Sequence, residues 1–187
     1  MWYNSFELWG DDMKKLLVVV DYQNDFVDGA LGFEGAEKIE DRIFQLIEYF
    51  EKNDDYVCFT LDTHERDYLK TTEGQNLPVE HCIKGTHGWQ VVDRLKESFA
   101  KHPHFEKHTF GSIDLGNYIK GLNTIIDEVY LVGLVSNICV ISNAIIAKAA
   151  LGKYGRVYVI KDGTDSFDKE MQQKGFDILE NLHIKVI

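Results

Sequence analysis

Continuous apolar runs alternate along the chain with segments of helical periodicity. The run KKLLVVV from Lys14 is apolar without alternation, which is typical of a strand buried on both faces of a parallel sheet. The segment AEKIEDRIFQLIEYFEKN places its apolar residues on one helical stripe. The same pattern predicts further strands in DYVCFTLD, HFEKHTF, EVYLVGL, RVYVIKD and HIKVI. It predicts further helices in WQVVDRLKESFAK, LGNYIKGL, the apolar segment from about Asn137 to Gly152, and KEMQQKGFDILENL.

This order predicts an α/β fold, doubly wound, with a mostly parallel six-stranded sheet and helices on both faces. We expect a single domain over residues 13–187, preceded by an extension over residues 1–12, and a long polar loop over residues 63–88. In such sheets, ligands bind beyond the carboxyl ends of the strands. The residues that follow each predicted strand are therefore the candidate site.

Three of these strand ends carry a base, a cation and a nucleophile. Asp21 directly continues the first strand, and a carboxylate that begins partly buried needs a partner or a raised pKa, so Asp21 is a candidate general base. Lys107 lies between two phenylalanines, where its ammonium would favour a nearby thiolate. Cys139 falls in the first turn of the predicted apolar helix, whose dipole and free N–H groups would lower the thiol pKa and hold an oxyanion.

Each of these three residues also has an ordinary structural interpretation. Asp21 could form a turn, Lys107 could be an exposed strand-edge lysine, and Cys139 could be a small packing residue, as we expect of Cys58 and Cys82. The functional interpretation rests on the fact that separate strands deliver complementary groups to one sheet edge.

A second group of polar residues follows the second strand. Asp62 and His64 are two positions apart, so they point to the same side of an extended chain, and Glu73 and His81 follow in the polar loop. Two imidazoles and two carboxylates suit Zn, Fe or Mn, with water in the remaining positions. The alternative is that these are ordinary loop residues of an acidic protein.

The amino-acid composition limits which binding partners and which cellular compartment are expected. The 187 residues carry a formal net charge of −11, so the surface as a whole should repel nucleic acid and anionic membranes. No apolar run is long enough to span a bilayer, and MWYNSFELWGDD lacks the pattern of a signal peptide. Three widely spaced cysteines form neither a disulfide framework nor a CxxC pair, which favours a cytoplasmic location.

Six motifs in order give the chain a resemblance to a known family. The motifs VVVDYQNDF, DTH, LPVEHCIKGTHGW, KHTFGS, GLVSNICV and KDGTDSFDKE resemble those of the isochorismatase-like cysteine hydrolases, and among them the nicotinamidase branch. The resemblance implies a catalytic triad of Asp21 as base, Lys107 as charge stabiliser and Cys139 as nucleophile. It also implies a small amide substrate, nicotinamide, which is hydrolysed to nicotinate and ammonia through a thioester.

The resemblance implies further site residues. Family members have a non-proline cis peptide before the nucleophile's turn, which falls on Leu134–Val135 and would aim the Val135 N–H at the oxyanion. The metal of the nicotinamidases, which binds the pyridine nitrogen, would be held by residues matching a branch that uses glutamate as third ligand: Asp62, His64, Glu73 and His81. No organic cofactor is implied, and relatives are often homo-oligomers, either dimers or tetramers.

The chain also departs from the family pattern. The family's Thr-Asp pair before the nucleophile is Ser136-Asn137 here, and either residue could cap the helix. Phe26 matches one aromatic wall of the substrate site, whereas Leu77 lies in the region of the second, which is often aromatic.

These departures leave alternative functions open. One is an isochorismatase-like hydrolase of another small amide, ureide or vinyl ether without a functional metal. Another is a non-catalytic binding module of the same fold, and a third is a metallohydrolase centred on the Asp62 cluster. The last would leave Lys107 and Cys139 without a role.

Overall fold

Six parallel strands form one sheet in the computed structural model, which describes residues 13–187. The strand order is β3-β2-β1-β4-β5-β6. The strands are β1 (Lys14–Val20), β2 (Tyr56–Asp62), β3 (His104–Lys107), β4 (Ile126–Leu134), β5 (Arg156–Asp165) and β6 (Lys185–Val186). The helices are α1 (Asn24–Val27), α2 (Glu40–Lys52), α3 (Thr72–Asn76), α4 (Lys96–Lys101), α5 (Ile113–Leu122), α6 (Ile141–Leu151) and α7 (Lys169–Asn181).

The chain builds the sheet outward from β1 in both directions. It first adds β2 and β3 on one side, then crosses back to place β4, β5 and β6 on the other. The reversal between β1 and β4 leaves a crevice at the carboxyl ends of the central strands, where doubly wound proteins bind ligands. The predicted fold is therefore confirmed, with every strand pair parallel.

Each face of the sheet has its own hydrophobic core. Alternate β1 residues belong to different cores: Leu16, Val18 and Val20 to one, and Leu17 and Val19 to the other. The first core is closed by α5, α6 and α7, and the second by α2 and neighbouring loops. This two-sided burial is the reason that β1 is apolar at every position from Leu16 to Val20 instead of at every second one.

Several element boundaries differ from the sequence prediction. The segment from Trp89 to Lys101 was expected to be one helix, but only its second half is helical, because Val91 forms an isolated antiparallel bridge with Gln23. The polar loop contains α3, and a helix not predicted, α1, follows β1. Strand β3 ends at Lys107, β5 continues to Asp165, and β6 is only two residues long. The predicted extension over residues 1–12 lies outside the described residues.

Gly133 controls how closely β4 approaches β1 near their carboxyl ends. Its φ is +108°, and a Cβ at this position would lie 2.0 Å from the carbonyl oxygen of Val20. Only glycine suits this backbone and this contact. The peptide bond between Leu134 and Val135, one residue further along, is cis, as the resemblance implied.

Over residues 13–187, no helix combines the length and the apolar character that crossing a membrane requires.

Candidate active site and metal centre

Asp21, Lys107 and Cys139 meet at the carboxyl edge of the sheet. Lys107 Nζ lies 2.7 Å from Asp21 Oδ2 and 3.5 Å from Cys139 Sγ. All three side chains are buried, with the residues 0%, 3% and 5% exposed, respectively. An exposed strand-edge role for Lys107 is therefore wrong, and the nucleophile, base and cation predicted from three separate strands form one contact cluster.

Asp21 is held in place by its backbone and by a neighbouring hydroxyl. Its φ is +46°, in the left-handed region that aspartate tolerates better than most residues, and it ends β1 with a sharp change of direction. Thr60 Oγ1 donates to Asp21 Oδ1 at 2.7 Å. Burial raises the pKa of the Asp21 carboxyl, an effect that the Lys107 ammonium opposes.

The Cys139 thiol is not acidified as the sequence suggested. Burial raises its pKa well above the ordinary value, although the Lys107 ammonium acts in the opposite direction. The expected lowering by the helix N-terminus is therefore wrong, because burial of the thiol outweighs it. A protonated thiol needs a base nearby, and Asp21 and Cys139 both contact Lys107 Nζ.

The turn that carries Cys139 is wider than an α-helical turn. Residues Ser136–Val140 form a π-helical turn in which the Val140 N–H donates to the Val135 carbonyl at 3.2 Å, and α6 begins only at Ile141. The expected capping by Ser136 or Asn137 is wrong: the turn has no side-chain cap, and Ser136 Oγ is buried without a hydrogen-bond partner. Single π-helical turns often occur at functional sites.

Asn143 holds this turn in place through three hydrogen bonds, a role that was not predicted from the sequence. Its Nδ2 donates to the carbonyl oxygens of Cys139 and Phe110, at 2.8 and 3.1 Å, and its Oδ1 accepts from the Ser112 N–H at 2.9 Å. The turn that carries Cys139 is thereby joined to the loop that follows β3. Only the position of Asn143 four residues after Cys139 could have indicated this contact.

The four predicted metal ligands converge beside this cluster. One ligand atom from each of them lies within 4.8 Å of all the others, in the group Asp62, His64, Glu73 and His81. Asp62 Oδ2 is 3.1 Å from His64 Nε2 and 3.2 Å from His81 Nε2, and Glu73 Oε1 is 3.6 Å from His81 Nε2. Two imidazoles and two carboxylates in this arrangement suit a divalent transition metal.

Neighbouring groups orient the two imidazoles. His81 Nδ1 hydrogen-bonds to the Val79 carbonyl at 2.8 Å, which assigns the proton to Nδ1 and leaves the Nε2 lone pair facing the cluster. The buried ring of Tyr68 packs against both imidazoles, with centroid distances of 4.6 and 5.1 Å to His64 and His81. Tyr68 was not identified from the sequence, because a tyrosine in a polar loop carries no distinctive spacing.

Gln23 positions the backbone of Asp62 and was also missed. Its Oε1 accepts from the Asp62 N–H at 2.8 Å, and its Nε2 donates to the carbonyl oxygens of Asp62 and Trp89 at 2.9 and 2.7 Å. Two of these bonds join the end of β1 to the end of β2, and the third reaches the segment before α4. Asp25, nearby, accepts from the Cys82 N–H at 2.7 Å and anchors the segment that includes His81.

Asp62 belongs to both clusters. Its Oδ1 lies 2.9 Å from Lys107 Nζ, whereas its Oδ2 faces the two imidazoles. Burial alone would raise the pKa of Asp62, but the Lys107 ammonium and the neighbouring imidazoles of His64 and His81 hold that pKa well below its usual range. Burial and the Asp62 charge raise the pKa of Glu73.

A cavity of about 400 Å³ opens from these two clusters to the surface. Cys139, Asp62, Glu73 and His81 lie on its wall, together with the two predicted substrate residues, Phe26 and Leu77. Phe26 is 7% exposed and Leu77 is 37% exposed. The remaining lining is mostly apolar: Ala30, Leu31, Gly32, Phe33, Phe110, Val135, Ile138 and Phe167. Cavities of this volume accept small aromatic ligands.

Comparison with known proteins agrees with the motifs and with the fold. The model of the isochorismatase domain matches residues 15–187. An uncharacterized isochorismatase family protein, PncA, of Bacillus subtilis (strain 168) is 35% identical over 170 residues, covering 84% of this chain and 90% of that protein. The chain belongs to the isochorismatase family. The family resemblance inferred from six motifs is thus confirmed.

Two solved structures superpose on nearly the whole chain. The crystal structure of nicotinamidase/pyrazinamidase PncA from Bacillus subtilis has a TM-score of 0.80 at 30% identity, covering 93% of this chain and 99% of that one. The pyrazinamidase of Pyrococcus horikoshii, solved in complex with zinc, has a TM-score of 0.80 at 23% identity, covering 93% and 98%. At that identity the second similarity concerns the fold alone.

Proposed function

We propose that this chain is a nicotinamidase, a cysteine-dependent amidohydrolase that converts nicotinamide and water to nicotinate and ammonia. The observation that carries the proposal is the position of Lys107 Nζ, which contacts Asp21, Cys139 and Asp62 at once. Lys107 thus contacts the proposed nucleophile and base, and also Asp62, which is one of the four side chains that could bind a metal. Cys139 and three of those four side chains line one small cavity. A family relative solved as a nicotinamidase/pyrazinamidase supports the same substrate class.

The first half of the reaction forms a thioester. Asp21 accepts the proton of the Cys139 thiol, and the sulfur attacks the carboxamide carbon. Burial has raised the pKa of both groups, so Asp21 is a stronger base than an exposed aspartate, and the Lys107 charge stabilises the thiolate as it forms. The tetrahedral intermediate then expels ammonia, which takes the proton held by Asp21.

The second half regenerates the free thiol. With ammonia gone, the ionised Asp21 accepts a proton from a water molecule, whose oxygen attacks the thioester carbon. The carbon–sulfur bond breaks, nicotinate is released, and the proton on Asp21 returns to the Cys139 sulfur. Lys107 keeps its charge throughout, because Asp21, Cys139 and Asp62 hold its pKa well above the ordinary value despite its burial.

The oxyanion of both tetrahedral intermediates needs donors near Cys139. We assign this role to the backbone N–H groups of Val135, which follows the cis peptide bond and precedes the wide turn, and of Cys139 within that turn. Backbone donors fixed by a turn need no reorganisation during the reaction, which is the general basis of this form of stabilisation.

The ligand set supports a divalent transition metal as the group that orients the substrate ring. When bound, such a cation supplies a Lewis acid for the pyridine nitrogen. Asp62, His64, Glu73 and His81 would hold it, and the donor set suits Zn, Fe or Mn better than Mg or Ca, which prefer oxygen ligands alone. Phe26 and Leu77 then border the ring on the cavity wall. No organic cofactor takes part in this proposal, and the three free cysteines suit a reducing cytoplasm.

The deciding experiment measures ammonia release from nicotinamide by the full chain, with Zn, Mn or Fe added and after chelation. Benzamide is the matched control substrate, because it has the same size and the same amide but lacks the ring nitrogen. We expect rapid, chelator-sensitive turnover of nicotinamide, little turnover of benzamide, and no turnover by Cys139→Ala.

Two outcomes would redirect the proposal in different ways. If nicotinamide is not hydrolysed under any metal condition while Cys139 still reacts with alkylating agents, the thiol hydrolase remains and the substrate is another small amide. If Cys139→Ala retains more than a small fraction of wild-type activity, nucleophilic catalysis by this thiol is wrong.

A further inference from the structure

Three phenylalanines surround the outer end of the cavity. Phe110 is 46% exposed, Phe167 is 63% exposed, and Phe33 is partly buried. On the same wall, Cys139 and His81 are almost completely buried. This gradient of exposure places the thiol and the imidazole at the inner end of the cavity and the three phenyl rings at its mouth. Phe33, Phe110 and Phe167 are called the aromatic rim below.

The aromatic rim comes from three separate loops and is held in a fixed arrangement. Phe33 precedes α2, Phe110 follows β3, and Phe167 follows β5. The rings of Phe33 and Phe167 meet edge to face, with their centroids 6.1 Å apart. The Phe33 carbonyl accepts from the Ala36 N–H at 3.1 Å, and the Phe110 carbonyl accepts from Asn143 Nδ2 at 3.1 Å. A surface that is ordered in advance loses little entropy when a ligand binds to it.

The charged groups of the cavity wall lie away from the rim. The carboxylates of Asp62 and Glu73 belong to the ligand set, and the rim itself is apolar. Among residues 13–187, no lysine or arginine lines the cavity. A carboxylate or phosphate bound at the rim would therefore find no cation on the wall and would be repelled by the two carboxylates. An uncharged apolar group would instead pack on exposed aromatic surface, which commonly marks a ligand-binding site.

The proposed reaction determines which atom of the substrate ring faces the rim, so this inference rests on the proposed function. The carboxamide on ring atom C3 must reach Cys139, and the ring nitrogen N1 must face the ligand set, which lies beside that thiol. Atoms N1 and C3 flank C2, and the atom opposite C2 is C5. C5 therefore points away from both anchors, toward the mouth. A cavity of about 400 Å³ also lies in the range that holds ligands larger than a single ring.

We propose that the aromatic rim is a second, apolar subsite that binds a substituent on C5 of the substrate ring. The substrate class is then pyridine-3-carboxamides that carry an uncharged apolar group on C5, with nicotinamide as the unsubstituted member. The same amide bond is hydrolysed in every member of this class. The rim contacts only the substituent, so Phe33, Phe110 and Phe167 determine specificity and take no part in the chemistry.

The test measures binding without turnover. Full-length Cys139→Ala with Zn present is titrated by calorimetry with nicotinamide, with 5-phenylnicotinamide and with 5-carboxynicotinamide. We expect the phenyl derivative to bind roughly 10-fold more tightly than nicotinamide, because its second ring packs on the rim. The carboxy derivative should bind roughly 10-fold more weakly than nicotinamide. In the enzyme that retains Cys139, the phenyl group should lower KM more than it changes kcat.

Two substitutions of Phe167 examine the subsite directly, each added to Cys139→Ala. Phe167→Ala should reduce the ratio of the nicotinamide and phenylnicotinamide dissociation constants from roughly 10 to near one. Phe167→Arg should tighten binding of the carboxy derivative by roughly 10-fold, because it supplies the missing cation, an effect that mere damage to the loop would not produce. Tyr49→Ala, which removes an exposed aromatic ring from α2, is the matched control and should leave both ratios unchanged.

The outcomes separate the subsite from the proposed function. If nicotinamide binds and the phenyl derivative binds more weakly, the subsite is wrong and the proposed function stands. Loss of affinity for nicotinamide and the phenyl derivative by the same factor in Phe167→Ala would also overturn the subsite. If nicotinamide neither binds to Cys139→Ala nor is hydrolysed by the wild type with Zn, Mn or Fe, the proposed function is wrong, and the orientation of C5 is wrong with it.

Discussion

Asp62 and Lys107 form a buried ion pair in which the carboxylate Oδ1 lies 2.9 Å from Nζ, while the other carboxylate oxygen faces the imidazoles of His64 and His81. One aspartate therefore contacts both the proposed catalytic triad and the proposed ring-orienting site. A substitution in either group of residues should therefore alter the properties of the other group.

Removing the Lys107 charge should damage both stability and catalysis. Lys107→Met leaves the carboxylates of Asp21 and Asp62 buried without their shared cation, so we expect the free energy of unfolding to fall by about 3–5 kcal/mol. The rate constant for ammonia release should fall by roughly 10³-fold. Urea unfolding and the ammonia assay measure the two effects.

The control for this variant is Lys84→Met, which removes an exposed ion pair with Glu106. Exposed pairs contribute little, so its stability and activity should match the wild type. Lys107→Met with wild-type turnover would exclude Lys107 from the mechanism.

Removing one imidazole should weaken the binding of metal and substrate more than it affects the reactivity of the Cys139 thiol. In His81→Ala, we expect the affinity for Zn or Mn to fall by more than about 100-fold, since loss of even an outer partner commonly costs 10–100-fold. KM for nicotinamide should rise, whereas the reaction of Cys139 with an alkylating agent should persist. Metal content by mass spectrometry, compared with His104→Ala at an exposed histidine outside the cluster, provides the measurement.

The three cysteines should differ sharply in their reaction with iodoacetamide. Burial raises the pKa of all three thiols, so access is what separates them: Cys139 lines the cavity, whereas Cys58 and Cys82 are 0% exposed. Peptide mapping should therefore find label on Cys139 first, and nicotinate should slow that labelling by occupying the cavity. Labelling of Cys58 ahead of Cys139 would contradict the assignment of Cys139 as an accessible nucleophile.

Gln23 should matter for stability although it contacts no substrate. Gln23→Leu leaves the backbone N–H and carbonyl of Asp62 without their buried partners, which should lower the free energy of unfolding by about 1–3 kcal/mol. Because Asp62 would then be less firmly held, metal affinity should fall as well. Gln45→Leu on the exposed side of α2 is the control, and equal stability of the two variants would show that the Gln23 bonds are dispensable.

The local sequence was sufficient to predict the site residues that lie at or after the ends of strands. Asp21, Lys107 and Cys139 each follow or end an apolar run, so the rule that parallel strands end at one edge was enough to bring them together. Asp62 and His64 could be predicted as a pair because residues two positions apart point to the same side of an extended chain. Glu73 and His81 were candidate ligands from their place in the polar loop, and the family resemblance then supported them.

What could not be predicted depends on contacts between distant segments. Gln23 and Asn143 act through carbonyl and N–H groups that become neighbours only after folding, and a buried amide has no sequence pattern of its own. The thiol pKa was predicted with the wrong sign because the helix end is visible in the sequence, whereas the depth of the cavity that buries Cys139 is not. The π-helical turn escaped prediction because its periodicity differs from that of an α-helix over only five residues.

The absence of a side chain at Gly133 has a consequence for engineering this enzyme. Because any larger group would strike the Val20 carbonyl, position 133 sets the spacing of the strands that carry Asp21 and the turn of Cys139. Directed evolution toward new amides should therefore leave codon 133 unchanged. Sequence variation should instead be introduced in the cavity wall, at Leu77, Ile138 and Phe167. A new side chain there changes the shape of the cavity without separating Asp21 from Cys139.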